Sequence, residues 1–394
     1  MIIVSCSGKF HAFNLAEQLA EHGQLSGFYT RYAWQRNTLM RRFVSRVDKE
    51  QIPLECIHTH IPLAVAARLN LSSEYTNSHM FDKWVAGRLQ QQAHSYKVFI
   101  GWSGMSLHSL RQAKRDGKLA IVERGSSHIC FQDRLLRDEY ARFGLSFSID
   151  SRVVSKECQE YEEADFISIP SQFVKRTFLQ YGVAEHKLLV NPYGTSQHFS
   201  MAGETAQRNA AEQFTIVYVG SLTIRKGLIY LFEALHKLPI PESNYQVWFI
   251  GYVADELKET IQRYQRPNWT FWGHVNHYEL PAILARADVG VQPSLEEGLS
   301  MVIPQLLAAG VPVVATDHTG GEDLIEDGMT GYIVPIRDVD QLASRLHQLY
   351  ADPGHLNAMK ANTIARQENR SWAAYGEQYL LTLKNCLSRV IDSQ

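Results

Sequence analysis

The stretch Pro293-Ser294-Leu295-Glu296-Glu297-Gly298-Leu299-Ser300 decides the fold, together with Gln305, Gly310-Val311-Pro312-Val313-Val314-Ala315-Thr316 and Thr319-Gly320-Gly321. It reads as a strand at Ala287–Val291, an acidic loop, a helix in the apolar run Leu299–Ala309, a second strand and a glycine turn. Strand–helix–strand units of this kind build parallel sheets covered by helices. In such sheets ligands bind beyond the carboxyl ends of the strands, and a helix start offers unpaired N–H groups to a phosphate. A phosphate here, with Glu297 beside it, would suit a sugar diphosphate. The other reading is an ordinary strand–helix unit in which Glu297 only complements the helix dipole.

The same rhythm runs outward in both directions. Upstream, the pattern predicts strand Ile2–Ser5 then helix Ala12–Glu21, strand Leu25–Tyr29, strand Val98–Gly101 then helix Leu107–Lys114, strand Leu119–Val122, strand Phe166–Ile169 then helix Phe173–Tyr181, and strand Leu188–Asn191. It restarts with strand Phe214–Val219, helix Leu228–Lys237, strand Gln246–Ile250, helix Glu256–Tyr264 and strand Trp269–Phe271. After a last strand at Tyr332–Val334, helices are predicted over Val339–Tyr350, His355–Gln367 and Trp372 to the terminus. The fold class is therefore α/β, with two doubly wound, Rossmann-like domains in series. The boundary falls near residue 200: Tyr193-Gly194-Thr195-Ser196 and the polar Met201–Gln213 stretch read as linker, giving domains 1–200 and 201–371, with helix 372–394 free to pack back on the first. No repeat of 20 to 50 residues, heptad or low-complexity tract interrupts this.

A chain of 394 residues exceeds what one core usually serves. Five scattered cysteines, Cys6, Cys56, Cys130, Cys158 and Cys386, include no C-x-x-C pair, which argues against a disulfide framework or zinc site and for a reducing, cytoplasmic setting. The first 20 residues open on an apolar strand without a signal-peptide pattern, and no apolar run approaches the roughly 20 residues of a membrane span. Residues 1–195 carry 24 Lys and Arg against 19 Asp and Glu, a net +5, while the rest carry 15 against 22, a net −7. Much of the basic excess lies in residues 31–49, where Arg31, Arg36, Arg41, Arg42, Arg46 and Lys49 interleave with apolar side chains. That composition fits a solvated helix face, or a peripheral contact with an anionic inner-membrane surface. Nothing in it suggests nucleic-acid binding.

Three loops could carry chemistry. Val219-Gly220-Ser221-Leu222-Thr223-Ile224-Arg225-Lys226-Gly227 leaves a strand and enters a helix. An Arg fork and a Lys point charge at a helix start suit a diphosphate, although a solvated turn has the same composition. Ser5-Cys6-Ser7-Gly8-Lys9-Phe10-His11 occupies the equivalent place in the first domain, where small residues let backbone approach a ligand; it is not a dinucleotide fingerprint. Glu123-Arg124-Gly125-Ser126-Ser127-His128 offers a cluster of polar groups to a sugar ring, with His128 either a hydrogen-bond donor to substrate or a structural histidine. Asp338-Val339-Asp340 reads as a helix N-cap and not as a metal pair. No G-x-S-x-G elbow, H-E-x-x-H or Walker A loop supports a hydrolase or NTPase.

With these loops placed, the chain resembles the GT-B glycosyltransferases, specifically the retaining family 4 group. The resemblance is strongest from Thr215 to Tyr350, through Val219-Gly220-Ser221, Arg225-Lys226-Gly227, Phe271-Trp272-Gly273-His274-Val275, Pro293-Ser294, Glu297-Gly298, Gly310–Ala315 and Gly328-Met329-Thr330-Gly331. The first half matches more loosely, through the opening glycine loop, His128 and Pro192-Tyr193-Gly194-Thr195 with Phe199. The resemblance implies two domains facing a central cleft, a nucleotide-sugar donor of UDP or GDP type as co-substrate, a glycan or lipid-linked acceptor, and no metal or other cofactor. It puts Arg225 and Lys226 on the donor diphosphate, Glu297 on the transferred sugar and His128 facing the reaction. Gly8, Gly220, Ser221, Gly273, His274, Val275, Ser294, Gly298, Leu299, Ser300 and Gln305 would line the donor, with Leu299 and Ser300 offering N–H groups to phosphate and Gly273–Val275 near the base. Lys9, His11, Arg124 and Ser126 would lie on the acceptor side. Transfer with retention would proceed on one face, the departing phosphate assisting deprotonation of the acceptor.

This sequence departs from that pattern twice. The family's second carboxylate falls on Gln305, preceded by Pro304, and Ser221 stands where many members have Arg. An amide still donates and accepts, but each bond to it loses its charge assistance and about half its strength. Proline belongs in a helix's first turn, so the helix is expected to start late or to kink. The leading expectation is a sugar transferase of cell-surface polysaccharide or glycolipid synthesis. The alternative is a GT-B-like binding subunit of weak turnover, favoured by Gln305 and opposed by the retained cations and Glu297.

Overall fold

The structure, a computed structural model, describes residues 1–8, 10–31, 52–69, 71–205, 213–366 and 370–392. Seven strands form the first sheet: β1 Ile2–Cys6, β2 Leu25–Thr30, β3 Ile57–Thr59, β4 Val98–Trp102, β5 Leu119–Glu123, β6 Phe166–Ile169 and β7 Leu188–Val190. Their order is β3-β2-β1-β4-β5-β6-β7, and every pairing is parallel. Six more form the second: β8 Phe214–Val219, β9 Tyr245–Ile250, β10 Trp269–Gly273, β11 Val289–Gln292, β12 Val313–Thr316 and β13 Gly331–Val334, in the order β10-β9-β8-β11-β12-β13, again all parallel. Central strands such as IIVSC in β1 and FTIVYV in β8 are buried along their whole length, as sheets covered on both faces require. In each sheet the chain reverses direction of winding beside its first strand, between β1 and β4 and between β8 and β11. A crevice opens at such a switch point, beyond the strands' carboxyl ends.

The chain crosses between the two sheet domains twice, and the crossings touch. The Thr195 N–H donates to the Arg370 carbonyl at 2.7 Å, and Thr195 pairs with Ser371 in a parallel bridge. A Cβ on Gly194 would lie 2.6 Å from the Ser371 carbonyl oxygen, so only glycine fits between them. Helix Trp372–Asp392 then returns to the first domain, where Gly376 meets Gln18 of helix Ala12–Glu21 so closely that a Cβ would come within 2.6 Å of the Gln18 Cβ.

The differences from the sequence reading have local causes. Helix Val302–Ala308 starts three residues later than the apolar run, and Pro304 is its third residue, where a missing N–H costs nothing. Strand β11 is displaced to Val289–Gln292 because the preceding turn ends at Ala287, whose N–H bonds Leu284. The polar stretch read as linker is entered by helix Gln197–Thr205, and 206–212 lie outside the described residues. Among the described residues six helices went unread: Ile61–Arg68, Glu74–Gln91, Ile129–Arg142, Ser151–Glu163, Gln197–Thr205 and Leu280–Leu284. Asp338 is the N-cap the sequence suggests, accepting from the Gln341 N–H at 2.9 Å. Among the described residues no helix is long and apolar enough to cross a membrane. Residues 32–49 of the basic stretch lie outside the described residues, and Arg31 is buried, with Nε donating to the Ser7 carbonyl at 3.1 Å and Nη2 to Glu74 at 2.6 Å.

Candidate functional site

A cavity of about 1070 Å³ lies between the carboxyl ends of the two sheets, at both switch points at once. Its second-domain wall is Val219 and Gly220 at the end of β8, Arg225 and Lys226, Gln292 at the end of β11, and Glu297, Leu299, Ser300 and Gln305. The first-domain wall includes Gly8 and His11 after β1, Trp102 at the end of β4, Arg124, Gly125 and Ser126 after β5, and Tyr193 at the first crossing. Loop contacts hold the cationic and acidic segments together. The Leu295 N–H donates to the Arg225 carbonyl at 2.9 Å, and Gly227 sits at φ 69° with the Pro293 carbonyl where a Cβ would be. At Gly298 a Cβ would stand 2.0 Å from the Gly125 carbonyl oxygen, so the two domains meet backbone to backbone there.

The charges are tightly organised. Lys226 Nζ pairs with Glu297 Oε1, to which the Ser294 hydroxyl also donates at 3.2 Å, and Arg225 Nη2 lies 3.7 Å from Glu297 Oε2. Arg225 Nη1 donates to Glu296 Oε2 at 3.1 Å. Glu296 is fully buried, and its other donors come from the opposite domain: the Ser126 hydroxyl at 2.9 Å, the Ser127 N–H at 3.0 Å and hydroxyl at 2.6 Å, and the Gln132 amide at 2.8 Å. Burial works against its charge, but Arg225 and then the Ser127 donors outweigh it and hold the carboxyl below the usual range. Gln132 also accepts from Arg124 Nη2 at 2.8 Å, and Arg124 Nη1 pairs with Glu157 at 2.6 Å. One hydrogen-bonded chain thus links the cations on the two walls of the cavity, Arg225 and Arg124. Burial and the neighbouring Arg225 bring the Lys226 ammonium down to about 7, against the pull of Glu296.

Gly8, His11, Arg124, Ser126, Gly220, Arg225, Lys226, Glu297, Leu299, Ser300 and Gln305 meet in this cavity, while Lys9 lies outside the described residues. His128 does not face it. Its ring stacks on Tyr181 at 4.5 Å and 2°, with Phe178 at 5.0 Å, and its Nδ1 accepts from the Cys130 N–H as the cap of helix Ile129–Arg142. Burial, helped by Arg124, pushes that imidazole down to about 4, so it is neutral and structural. The Ser300 N–H is already donated to the Thr319 carbonyl at 2.9 Å, which removes it as a phosphate donor. Ser221, Gly273, His274, Val275, Ser294 and Gly298 are not among the cavity's lining residues; Gly273 ends the edge strand β10, two strands from β8. Sequence reading missed Glu296, Gln132, Trp102 and Glu157. The Glu296–Glu297 doublet was a visible signal for the first of these, but nothing local shows which carboxylate turns toward the other domain.

The family described as "Glycosyl transferases group 1" matches residues 213–352, the segment that supplies the second-domain wall. O-antigen chain mannosyltransferase B of Escherichia coli is 26% identical over 182 residues, 45% of this chain and 44% of that protein. The first curated relatives are matched over only 34–44% of their own length. Similarity of fold extends over nearly the whole chain. Sucrose-phosphate synthase from Thermosynechococcus elongatus superposes with TM-score 0.70 at 19% identity over 98% of this chain and 99% of that one. Anabaena HepE, solved in complex with UDP-glucose, gives 0.66 at 16% identity over 98% and 99%.

Proposed function

We propose that this protein transfers a sugar from a nucleotide sugar to an acceptor hydroxyl, with retention and without a metal, a reading supported by the match of residues 213–352 to the group 1 glycosyl transferases and by the GT-B fold. The acceptor in this reading is a glycan or lipid-linked saccharide of cell-surface polysaccharide synthesis, supported by the similarity to an O-antigen chain mannosyltransferase. One observation carries it: Arg225, Lys226 and Glu297 form one wall of a cavity whose other wall presents His11, Arg124 and Ser126. Arg225 and Lys226 would neutralise the departing diphosphate, the work a metal ion does elsewhere. Glu297, held between Lys226 and Ser294, would accept from hydroxyls of the transferred sugar.

The test is a panel of UDP- and GDP-sugars scored for thermal stabilisation and slow hydrolysis, since a ligand that binds only the folded state raises stability with its affinity. One nucleotide class should stabilise the protein and be turned over. Lys226→Ala should lower that turnover by about 10²–10³-fold, the scale of a lost oxyanion contact. Turnover unchanged in Lys226→Ala removes the diphosphate assignment. Stabilisation without any hydrolysis or transfer would favour the binding-subunit reading, for which Gln305 on the cavity wall is the supporting observation.

A further inference from the structure

We propose that the pocket where the chain crosses between the domains is a second ligand site, separate from the donor cavity, which binds the phosphate group of a small polar molecule. Its volume is about 350 Å³, within the range of small-molecule sites. Thr195, Ser196 and Gln197 of the first crossing and Arg370 and Ser371 of the second form its polar side, and Pro304, Leu307 and Ala308 form an apolar floor. Helix Val302–Ala308 is the partition between the two sites: Val302 and Gln305 line the donor cavity, while Pro304, Leu307 and Ala308 line this pocket. No described residue lines both.

Arg370 decides the charge of the ligand. Its Nη1 donates to the Leu324 carbonyl at 3.1 Å, and among the described residues the guanidinium faces no carboxylate, so burial alone acts on its pKa and lowers it. Cations elsewhere are compensated: Arg31 by Glu74, Arg124 by Glu157, Lys156 by Asp82 and Arg225 by Glu296. Arg366, on the same pocket, is paired with Glu326. A desolvated cation without a counter-charge is costly, and an anion in the pocket removes that cost. Thr195 on the pocket wall is buried, and its hydroxyl has no hydrogen-bond partner among the described residues. Helices Gln197–Thr205 and Trp372–Asp392 both begin at the pocket, and a helix start carries partial positive charge. The second start is already capped by the Ser371 hydroxyl, which accepts from the Ala374 N–H at 3.1 Å, so the helix contribution comes from the first. Donors from a planar fork and from a helix start suit the three free oxygens of a phosphate monoester better than the two of a carboxylate.

Calorimetric titration of the full chain with inorganic phosphate and with a hexose monophosphate is the test, with glucuronate at the same ionic strength as the carboxylate control. No nucleotide sugar is present, so the outcome does not depend on the transferase reading. The donor cavity can also hold phosphate, and the titrations are therefore run on Lys226→Ala as well as on the wild type. Both phosphates should bind Lys226→Ala, and glucuronate should bind it more weakly. On that background Arg370→Gln should weaken phosphate binding by about 10–100-fold, the scale of one lost charge-assisted contact, and Arg370→Lys should restore part of it. Because Arg370→Gln also loses the bond to Leu324, Ser200→Glu is a second variant: it keeps Arg370, places a negative charge on the pocket wall and should lower phosphate affinity as well. Thermal denaturation in chloride buffer shows whether each variant is folded. Phosphate that fails to bind Lys226→Ala, an affinity unchanged in folded Arg370→Gln or in Ser200→Glu, or glucuronate binding as tightly as phosphate would overturn the assignment.

Discussion

Lys226, brought down to about 7 by burial and by Arg225, makes diphosphate binding a proton-linked event in this reading. A phosphate placed beside it would raise its pKa again. Above pH 7 the free protein is then the deprotonated partner, the complex takes up a proton, and affinity falls by up to about tenfold per pH unit until the complex titrates too. Calorimetry of the bound nucleoside diphosphate at pH 6.5, 7.5 and 8.5, in buffers of different ionisation heat, should show this uptake, and Lys226→Met should abolish it. Gln305 gives a second test. If it contacts ribose, Gln305→Glu should tighten nucleotide binding several-fold through charge-assisted bonds but leave inorganic pyrophosphate, which has no ribose, no tighter. At this scale the sequence disclosed Arg225, Lys226 and Glu297 because they sit in short local patterns after strands. His128 was misread because the aromatic rings that bury it, Tyr161, Phe178 and Tyr181, come from elements far along the chain.

Elements were legible where apolar periodicity was clean, as in β1, β8 and helices Ala12–Glu21 and Leu228–Lys237, whose predicted and observed limits nearly coincide. Helices Glu74–Gln91 and Ser151–Glu163 were not, because part of what they bury is charged. Asp82 of the first accepts from the His108 and Ser109 N–H groups at the start of helix Leu107–Arg115, at 3.0 and 2.9 Å, and lies 3.0 Å from Lys156 of the second. A periodicity of apolar residues cannot show an ion pair that locks three helices together. Breaking such a buried pair on one side leaves the other charge stranded. Asp82→Asn should therefore destabilise the fold by about 3–5 kcal/mol in urea denaturation, and adding Lys156→Met should recover part of the loss.

At the scale of the molecule, the two domains are joined by polar contacts around the cavity. Besides Glu296, the Ser171 hydroxyl donates to the Gly298 carbonyl at 2.6 Å, the Gln172 N–H to Asp323 at 2.7 Å, and Tyr230 and Arg337 of the second domain to Glu139 of the first, at 2.6 and 2.7 Å. None of these pairs could be read from sequence, since each joins residues at least 91 positions apart. Glu296→Ala would remove the acceptor of four donors of the first domain, two of them on the buried Ser127. It should leave the far-ultraviolet dichroism intact while enlarging the radius of gyration in solution scattering and lowering kcat. An unchanged radius would mean the remaining contacts hold the domains without it.

The paired crossings at Thr195 and Ser371 have a mechanical consequence. Two crossing segments pinned side by side act as a pivot, so any parting of the domains is a swing about that line. Tyr193 and Trp372, cavity residues next to the pivot, would travel little, while groups at the end of the lever arm would travel most. A substitution at Gly194 would therefore act at a distance, altering the angle through which the far wall moves without touching any group on it.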